Sequence, residues 1–319
     1  MINFDFSFVK GVGWYPGHML KATRDIRKQL KLVDVVVILT DARTPISSLN
    51  EGLIKITSTK PILIVLNKAD LAEDEKTLEW AEYLKSKYEN CDYVITETLK
   101  RRGLRQITDS ARKLIKEDRK KKGATRPLLR PIRLMIVGVP NVGKSSLINA
   151  LNRKKSTRTG PRPGVTRSQQ WITLADDMEL LDTPGIMPPG NPLVECGLRL
   201  GLINAVKQDL IGKSLLVTYL ISQLFKHENY NHLKSFGVKF PVTDYDHILE
   251  TISAKMGYKL PGNMPDIRKT EEYILREYTD GKFGKMTLDI HPDSQAKSDV
   301  TILWPDAKIN MDAEEDKES

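Results

Sequence analysis

The sequence predicts an α/β domain over residues 1–190, followed by a small all-helical domain over residues 191–285. Three observations predict it. Short apolar runs alternate with helical periodicity through residue 181, as a sheet with helices on both faces requires. One of those runs ends in a glycine-rich turn that opens a helix. Beyond residue 191 the strand signal fades, and only helical patterns remain, broken at Pro and Gly.

The elements follow in order. Apolar runs bounded by polar turns mark strands at residues 35–39, 62–66, 93–95, 134–137, 171–174 and 179–181. Helical patterns lie between them at residues 19–32, 74–88, 104–120 and 144–152. A parallel sheet is expected. Residues 120–131, basic and carrying two prolines and a glycine, read as a linker inside this domain. In the second domain, residues 193–206, 215–225, 245–256 and 267–278 read as helices. Residues 286–319 are polar and read as a mobile tail.

Composition bounds the function. The chain has 319 residues, 40% hydrophobic and 29% charged, which fits a globular protein large enough to need no covalent staples. Cys91 and Cys196 lie far apart and outside any metal-ligand spacing, which argues against a disulfide scaffold or a zinc site. No apolar run approaches bilayer length. The first ten residues resemble neither a secretory signal nor an Arg-rich transit peptide, so a cytoplasmic protein is expected. Net charge is +9 and unevenly spread. Residues 112–133 hold ten Lys or Arg against two acids, and residues 153–167 hold six against none. Such blocks suit a polyanionic partner, most simply nucleic acid, or else form a solvated face.

The chemistry begins at Gly138-Val-Pro140-Asn141-Val142-Gly143-Lys144-Ser145, which matches G-x-x-x-x-G-K-[ST] between a strand and a helix. Backbone N–H groups from Pro140–Ser146 and the helix N-terminus would cradle phosphates. Lys144 would bridge the β- and γ-phosphates, and the Ser145 hydroxyl would hold Mg²⁺. Asp182-Thr-Pro-Gly185 ends a later strand. There Asp182 can hold Mg²⁺ through water and the Gly185 N–H can reach the γ-phosphate. Between the two, Thr166 on a Gly/Pro-rich loop is the candidate switch threonine, closing on Mg²⁺ when a γ-phosphate is present.

Asn67-Lys68-Ala-Asp70 follows the strand at 62–66. A carboxylate at Asp70 can accept from both N1–H and the 2-amino group of guanine, an edge adenine does not offer. Asn67 and Lys68 would brace the loop and cover the base. The expected ligands are therefore GTP and GDP with Mg²⁺. The base motif precedes the phosphate motif in the chain, the reverse of the conventional order. Reordering joins the segment after Asp182 directly to the helical domain, a route from γ-phosphate to domain movement.

These motifs, with Trp14-Tyr-Pro-Gly-His18-Met19, Asp41-Ala-Arg43, Thr159-Gly-Pro-Arg-Pro-Gly-Val-Thr166, Ser168-Gln-Gln-Trp171 and Lys282-Phe-Gly284, resemble the RbgA/YlqF circularly permuted GTPases. The resemblance covers about residues 13 to 288. It implies a P-loop GTPase domain with circularly permuted motif order, a base clamp at Thr96-Glu97-Thr98 where the family carries smaller residues, and a small all-helical C-terminal domain that contacts rRNA. It also implies GTP hydrolysis coupled to assembly of the large ribosomal subunit, on a precursor particle that stimulates the reaction. Members work in bacterial cytoplasm or the mitochondrial matrix. A monomer is expected.

Hydrolysis needs a group to orient water, and Ile186 stands where many GTPases carry glutamine. From the sequence alone His18 either caps or packs the helix or swings over the γ-phosphate, the first being favoured; the resemblance makes it the water-positioning group. Asn141 either shapes its loop or helps bind a monovalent cation such as K⁺, supplying charge where an arginine finger otherwise acts. Two rivals remain at this point: a metabolic P-loop kinase or ATPase, and an RNA-binding switch that holds GTP without significant hydrolysis.

Overall fold

The computed structural model describes residues 24, 26–126, 128–152, 171–175, 177–181, 194–240 and 244–294. Its centre is a six-stranded sheet: β1 (Val35–Asp41), β2 (Ile62–Asn67), β3 (Cys91–Ile95), β4 (Ile132–Val137), β5 (Trp171–Ala175) and β6 (Met178–Leu181), in the order β3-β2-β1-β4-β6-β5. Every residue of β1 and β2 is buried. That is why these strands read as unbroken apolar runs, since a parallel strand covered on both faces has no side for water.

Side chains alternate across the sheet, so the two faces divide the same strands. Val35, Val37 and Leu39 of β1 face one way, toward α3 (Leu104–Lys121) and α4 (Lys144–Leu151). Val36 and Ile38 face the other, toward α1 (Glu51–Thr57) and α2 (Asp74–Lys87). Residues 26–30 are helical and add Ile26 and Leu30 to that second face.

The second domain comprises α5 (Val194–Leu202), α6 (Gln208–Ile211), α7 (Lys213–Lys226), α8 (Asn231–Ser235), α9 (Tyr245–Met256) and α10 (Ile267–Thr279). Helix α5 belongs to both cores. Cys196 and Leu200, four residues apart, pack on the sheet layer, while Leu198 and Leu202 pack among the other helices. Buried on both sides, with its one buried charge, Arg199, paired to Glu195 and Asp289, this helix joins the domains.

Three differences from the expected layout have physical causes. The sheet is not wholly parallel, because β5 pairs antiparallel with β6; the two residues between them suffice for a hairpin but not a crossover. The linker at 120–131 is pinned at its end, where Arg130 donates to both carboxylate oxygens of Asp34 at 2.7 and 2.9 Å. The expected tail begins later than residue 286. Met286, Thr287, Leu288 and Asp289 are all buried, with Met286 N donating to Leu71 O at 3.1 Å and Leu288 N to Arg43 O at 2.8 Å. Four residues are too few to show a period, so a polar reading of the whole stretch missed them. Helix α1, capped by the Asn50 side chain, and the short α6 and α8 were not expected either.

Candidate functional site

Strands β1 and β4 are neighbours, but their chains leave in opposite directions, β1 toward β2 and β3, β4 toward β6. Such a reversal opens a crevice beyond the carboxyl ends of the strands, where ligands of open α/β sheets bind. Both predicted motifs lie at that edge.

The loop after β4 carries the phosphate motif. Gly138 leaves the strand so close to β1 that a Cβ would strike the Leu39 carbonyl. Val142 is fully buried and anchors the loop. Gly143 caps α4 with φ +100°, and a Cβ there would stand 2.5 Å from Asn67 Nδ2. Only glycine fits. Lys144 opens α4 half-buried, its Nζ donating to the carbonyls of Gly138 and Val139, each at 2.8 Å. Burial pushes its ammonium down from an ordinary 10.5 to about 8. An ammonium in the first turn of a helix, desolvated and bonded among the described residues to neutral carbonyls, is a site waiting for anionic charge. Pro140 is half-buried, while Ser145 and Ser146 follow in the same turn with exposed side chains.

The loop after β2 carries the base motif and is tied to the phosphate loop through two residues. Asn67 donates from Nδ2 to Val142 O at 2.8 Å. Its Oδ1 accepts from Thr96 Oγ1 at 3.0 Å and Thr98 Oγ1 at 2.7 Å. Lys68, in a left-handed conformation, donates from Nζ to Asn141 O at 2.6 Å. Asp70 stands half-buried beside Lys100, whose Nζ is 3.3 Å from Asp70 Oδ2 and 3.1 Å from Glu97 Oε2. The hydroxyls of Thr96 and Thr98 are thus turned onto Asn67, and the Glu97 side chain onto Lys100 and Arg102. The backbone N–H groups of the same residues are engaged as well, Thr96 N with Leu66 O at 2.9 Å, Glu97 N with Arg102 O at 3.2 Å and Thr98 N with Asn67 Oδ1 at 3.4 Å, so the expected base clamp at 96–98 braces the Asn67 loop instead. Asn141 Nδ2 donates to the carbonyl of Asn204, beyond α5, so this side chain reaches from the phosphate loop to the second domain.

His18, Thr166, Asp182 and Gly185 lie outside the described residues. The residues that are described fit a guanine nucleotide's polyphosphate and base. They do so by a backbone cradle that no Cβ could share, one desolvated lysine, and a carboxylate at the crevice mouth. Sequence reasoning gave no role to Asp41 and Arg43, which stand directly behind Lys68. Their position at the end of a fully buried strand was the available signal.

A fold and site of this kind define a P-loop GTPase whose motifs run in permuted order. A family profile described as 50S ribosome-binding GTPase matches residues 133–236. Over 278 residues the chain is 40% identical to Ribosome biogenesis GTPase A of Bacillus cereus, covering 87% of this chain and 93% of that one. It is 32% identical over 297 residues to Mitochondrial ribosome-associated GTPase 1 of Bos taurus, covering 86% and 88%. The crystal structure of GNP-bound YlqF from T. maritima superposes with a TM-score of 0.59 at 25% identity, covering 84% of this chain and 97% of that one. The chain belongs to the RbgA/YlqF family of circularly permuted GTPases. Among the described residues no helix is long and apolar enough to cross a membrane.

Proposed function

We propose that this GTPase is an assembly factor for the large ribosomal subunit, binding rRNA on a precursor particle with GTP and leaving after hydrolysis. The observation that supports this most is the order of the chain. Strand β6 runs through the segment holding Asp182 and Gly185 directly into α5, the helix shared by both cores. A change at the γ-phosphate therefore has a covalent path to the second domain. The names of its bacterial and mitochondrial relatives supply the ribosomal partner. The protein acts as a monomer in the bacterial cytoplasm, with the mitochondrial matrix as the alternative compartment.

Within the site, Lys144 bridges the β- and γ-phosphates and Asp70 selects guanine, on a loop that Thr96 and Thr98 brace through Asn67. Ser145, Thr166 and Asp182 would hold Mg²⁺, which neutralises phosphate charge when bound. Asn141, its Nδ2 engaged with Asn204, offers Oδ1 to K⁺. His18 accepts a hydrogen bond from the attacking water and aims it, in place of the glutamine that Ile186 replaces.

Sedimentation of the full chain with ribosomal particles tests the proposal. Cosedimentation with large-subunit precursors in a non-hydrolysable GTP analogue, and its loss in GDP, is the expected result. Binding should weaken steeply with salt, the slope shrinking by nearly one for each phosphate contact removed from 119–122 or 153–158. Equal sedimentation in both nucleotides would overturn it.

A further inference from the structure

Lys68 is held in place by residues that belong to neither nucleotide motif. Besides its bond to Asn141, its Nζ pairs with Asp41 Oδ2 at 3.0 Å. Asp41 ends β1 and is wholly buried. A buried carboxylate persists only when its charge is met and its lone pairs are used. Arg43 does both, with Nε on Oδ1 at 3.0 Å and Nη2 on Oδ2 at 2.9 Å. Burial alone would raise the carboxyl's pKa, yet Arg43 and Lys68 hold it well below the usual carboxylate range.

Arg43 is just 1% exposed, and what covers it comes from the helical domain. Its guanidinium carbon lies 5.2 Å from the centre of the Tyr278 ring, and Nη1 reaches the Tyr278 carbonyl at 3.5 Å. Tyr278 is in the last turn of α10. The far end of the base loop is gripped from the same side. Leu71 O accepts from Met286 N, and Gly281 sits so tightly on Leu71 that a Cβ would collide with it. Glu73 and Thr287 exchange bonds, Glu73 N to Thr287 Oγ1 at 3.2 Å and Thr287 N to Glu73 Oε2 at 2.9 Å.

Both ends of the 67–73 loop are therefore tied to the second domain, one through Asp41 and Arg43 and the other directly. We propose that Asp41 and Arg43 are positioning residues for Lys68, through which the seating of the helical domain on Arg43 sets how tightly the site holds guanine nucleotide. The proposal rests on the guanine reading of Asn67–Asp70. Linkage makes it reciprocal: a partner that draws α10 off Arg43 loosens the nucleotide, and bound nucleotide favours the seated domain.

Release of a fluorescent GDP analogue from the full chain tests this, with melting temperature measured separately without nucleotide. Losing a charged hydrogen-bond partner of Lys68 is expected to speed release about tenfold in Asp41→Asn. In a Lys68→Ala background the same substitution should change release less than about twofold, because the route has been removed. Tyr278→Leu, which strips the ring from Arg43, should also speed release, and Tyr278→Phe, which keeps ring and carbonyl, should restore the wild-type rate. An equal effect of Asp41→Asn with and without Lys68, or wild-type release in Tyr278→Leu, would overturn the proposal. If Asp41→Asn does not fold, Tyr278→Leu alone and combined with Lys68→Ala completes the same cycle. Equal binding of GTP and ATP by the wild type would instead remove the guanine reading and leave the coupling to be read on whichever nucleotide binds.

Discussion

Asn67 Nδ2 donates to Val142 O at 2.8 Å, closing the base loop onto the phosphate loop across 75 residues of sequence. Permutation changes which motif is made first, but the two loops still meet, because β1 separates their strands and both leave the same edge of the sheet.

That contact leaves no room for a side chain at Gly143. With φ at +100° and a new Cβ 2.5 Å from Asn67 Nδ2, Gly143→Ala must strain its backbone and displace Asn67 as well. The left-handed backbone alone costs about 1–2 kcal/mol. GTP and GDP affinity should both fall by more than tenfold in equilibrium titrations. Unchanged affinity would mean that the Asn67 clamp is dispensable.

Asp70→Asn should weaken GTP binding and open the site to xanthosine triphosphate, whose 2-oxo group pairs with the amide. Competition titrations with the two nucleotides measure the switch. A variant that still prefers GTP would show that another group reads the base.

Lys144 predicts a proton linkage. Its ammonium titrates near 8 where burial has lowered it from 10.5, and neighbouring phosphates favour the charged form. Below pH 8 the lysine is charged before and after binding, and no proton moves. Above pH 8 the free site has lost the proton and binding must recover it, so affinity should fall as pH rises and up to one proton should be taken up. The sign for folding is opposite: the desolvation cost is fully present below pH 8 and disappears as pH rises toward 10.5. Calorimetry at pH 8.5 in buffers of different ionisation heat counts the protons. No uptake would place the phosphates away from Lys144.

His18→Ala should leave nucleotide and particle binding nearly intact while lowering particle-stimulated kcat about a hundredfold, roughly 3 kcal/mol in the barrier. The variant should also stay longer on the particle in GTP. If His18 is a helix cap, the substitution should instead lower the melting temperature by the equivalent of about 1 kcal/mol and spare turnover. Measuring both on one variant separates the two roles.

Much of the strand layout was readable because burial on both faces writes itself as a run such as Ile62–Asn67, bounded by turns. Gly143 and Lys144 were readable because a phosphate cradle demands those residue types at fixed spacing. The antiparallel edge strand β5 was not, since an apolar run carries no direction. Thr96 and Thr98 were placed beside the base by the family resemblance, and their hydroxyls proved to serve Asn67.

By itself, then, the sequence determined the nucleotide chemistry, the permuted order of its motifs and the change from sheet to helices near residue 191. All three are local: each rests on residue types within one turn, or on a period within one element. Only the tertiary structure decided that Met286 through Asp289 return to the first domain, and that Tyr278 covers Arg43 behind the base loop. Those contacts join residues more than two hundred positions apart. Nothing in Arg43 or Tyr278 taken singly encodes them; they exist because α5 lies in both cores and fixes where the second domain can sit.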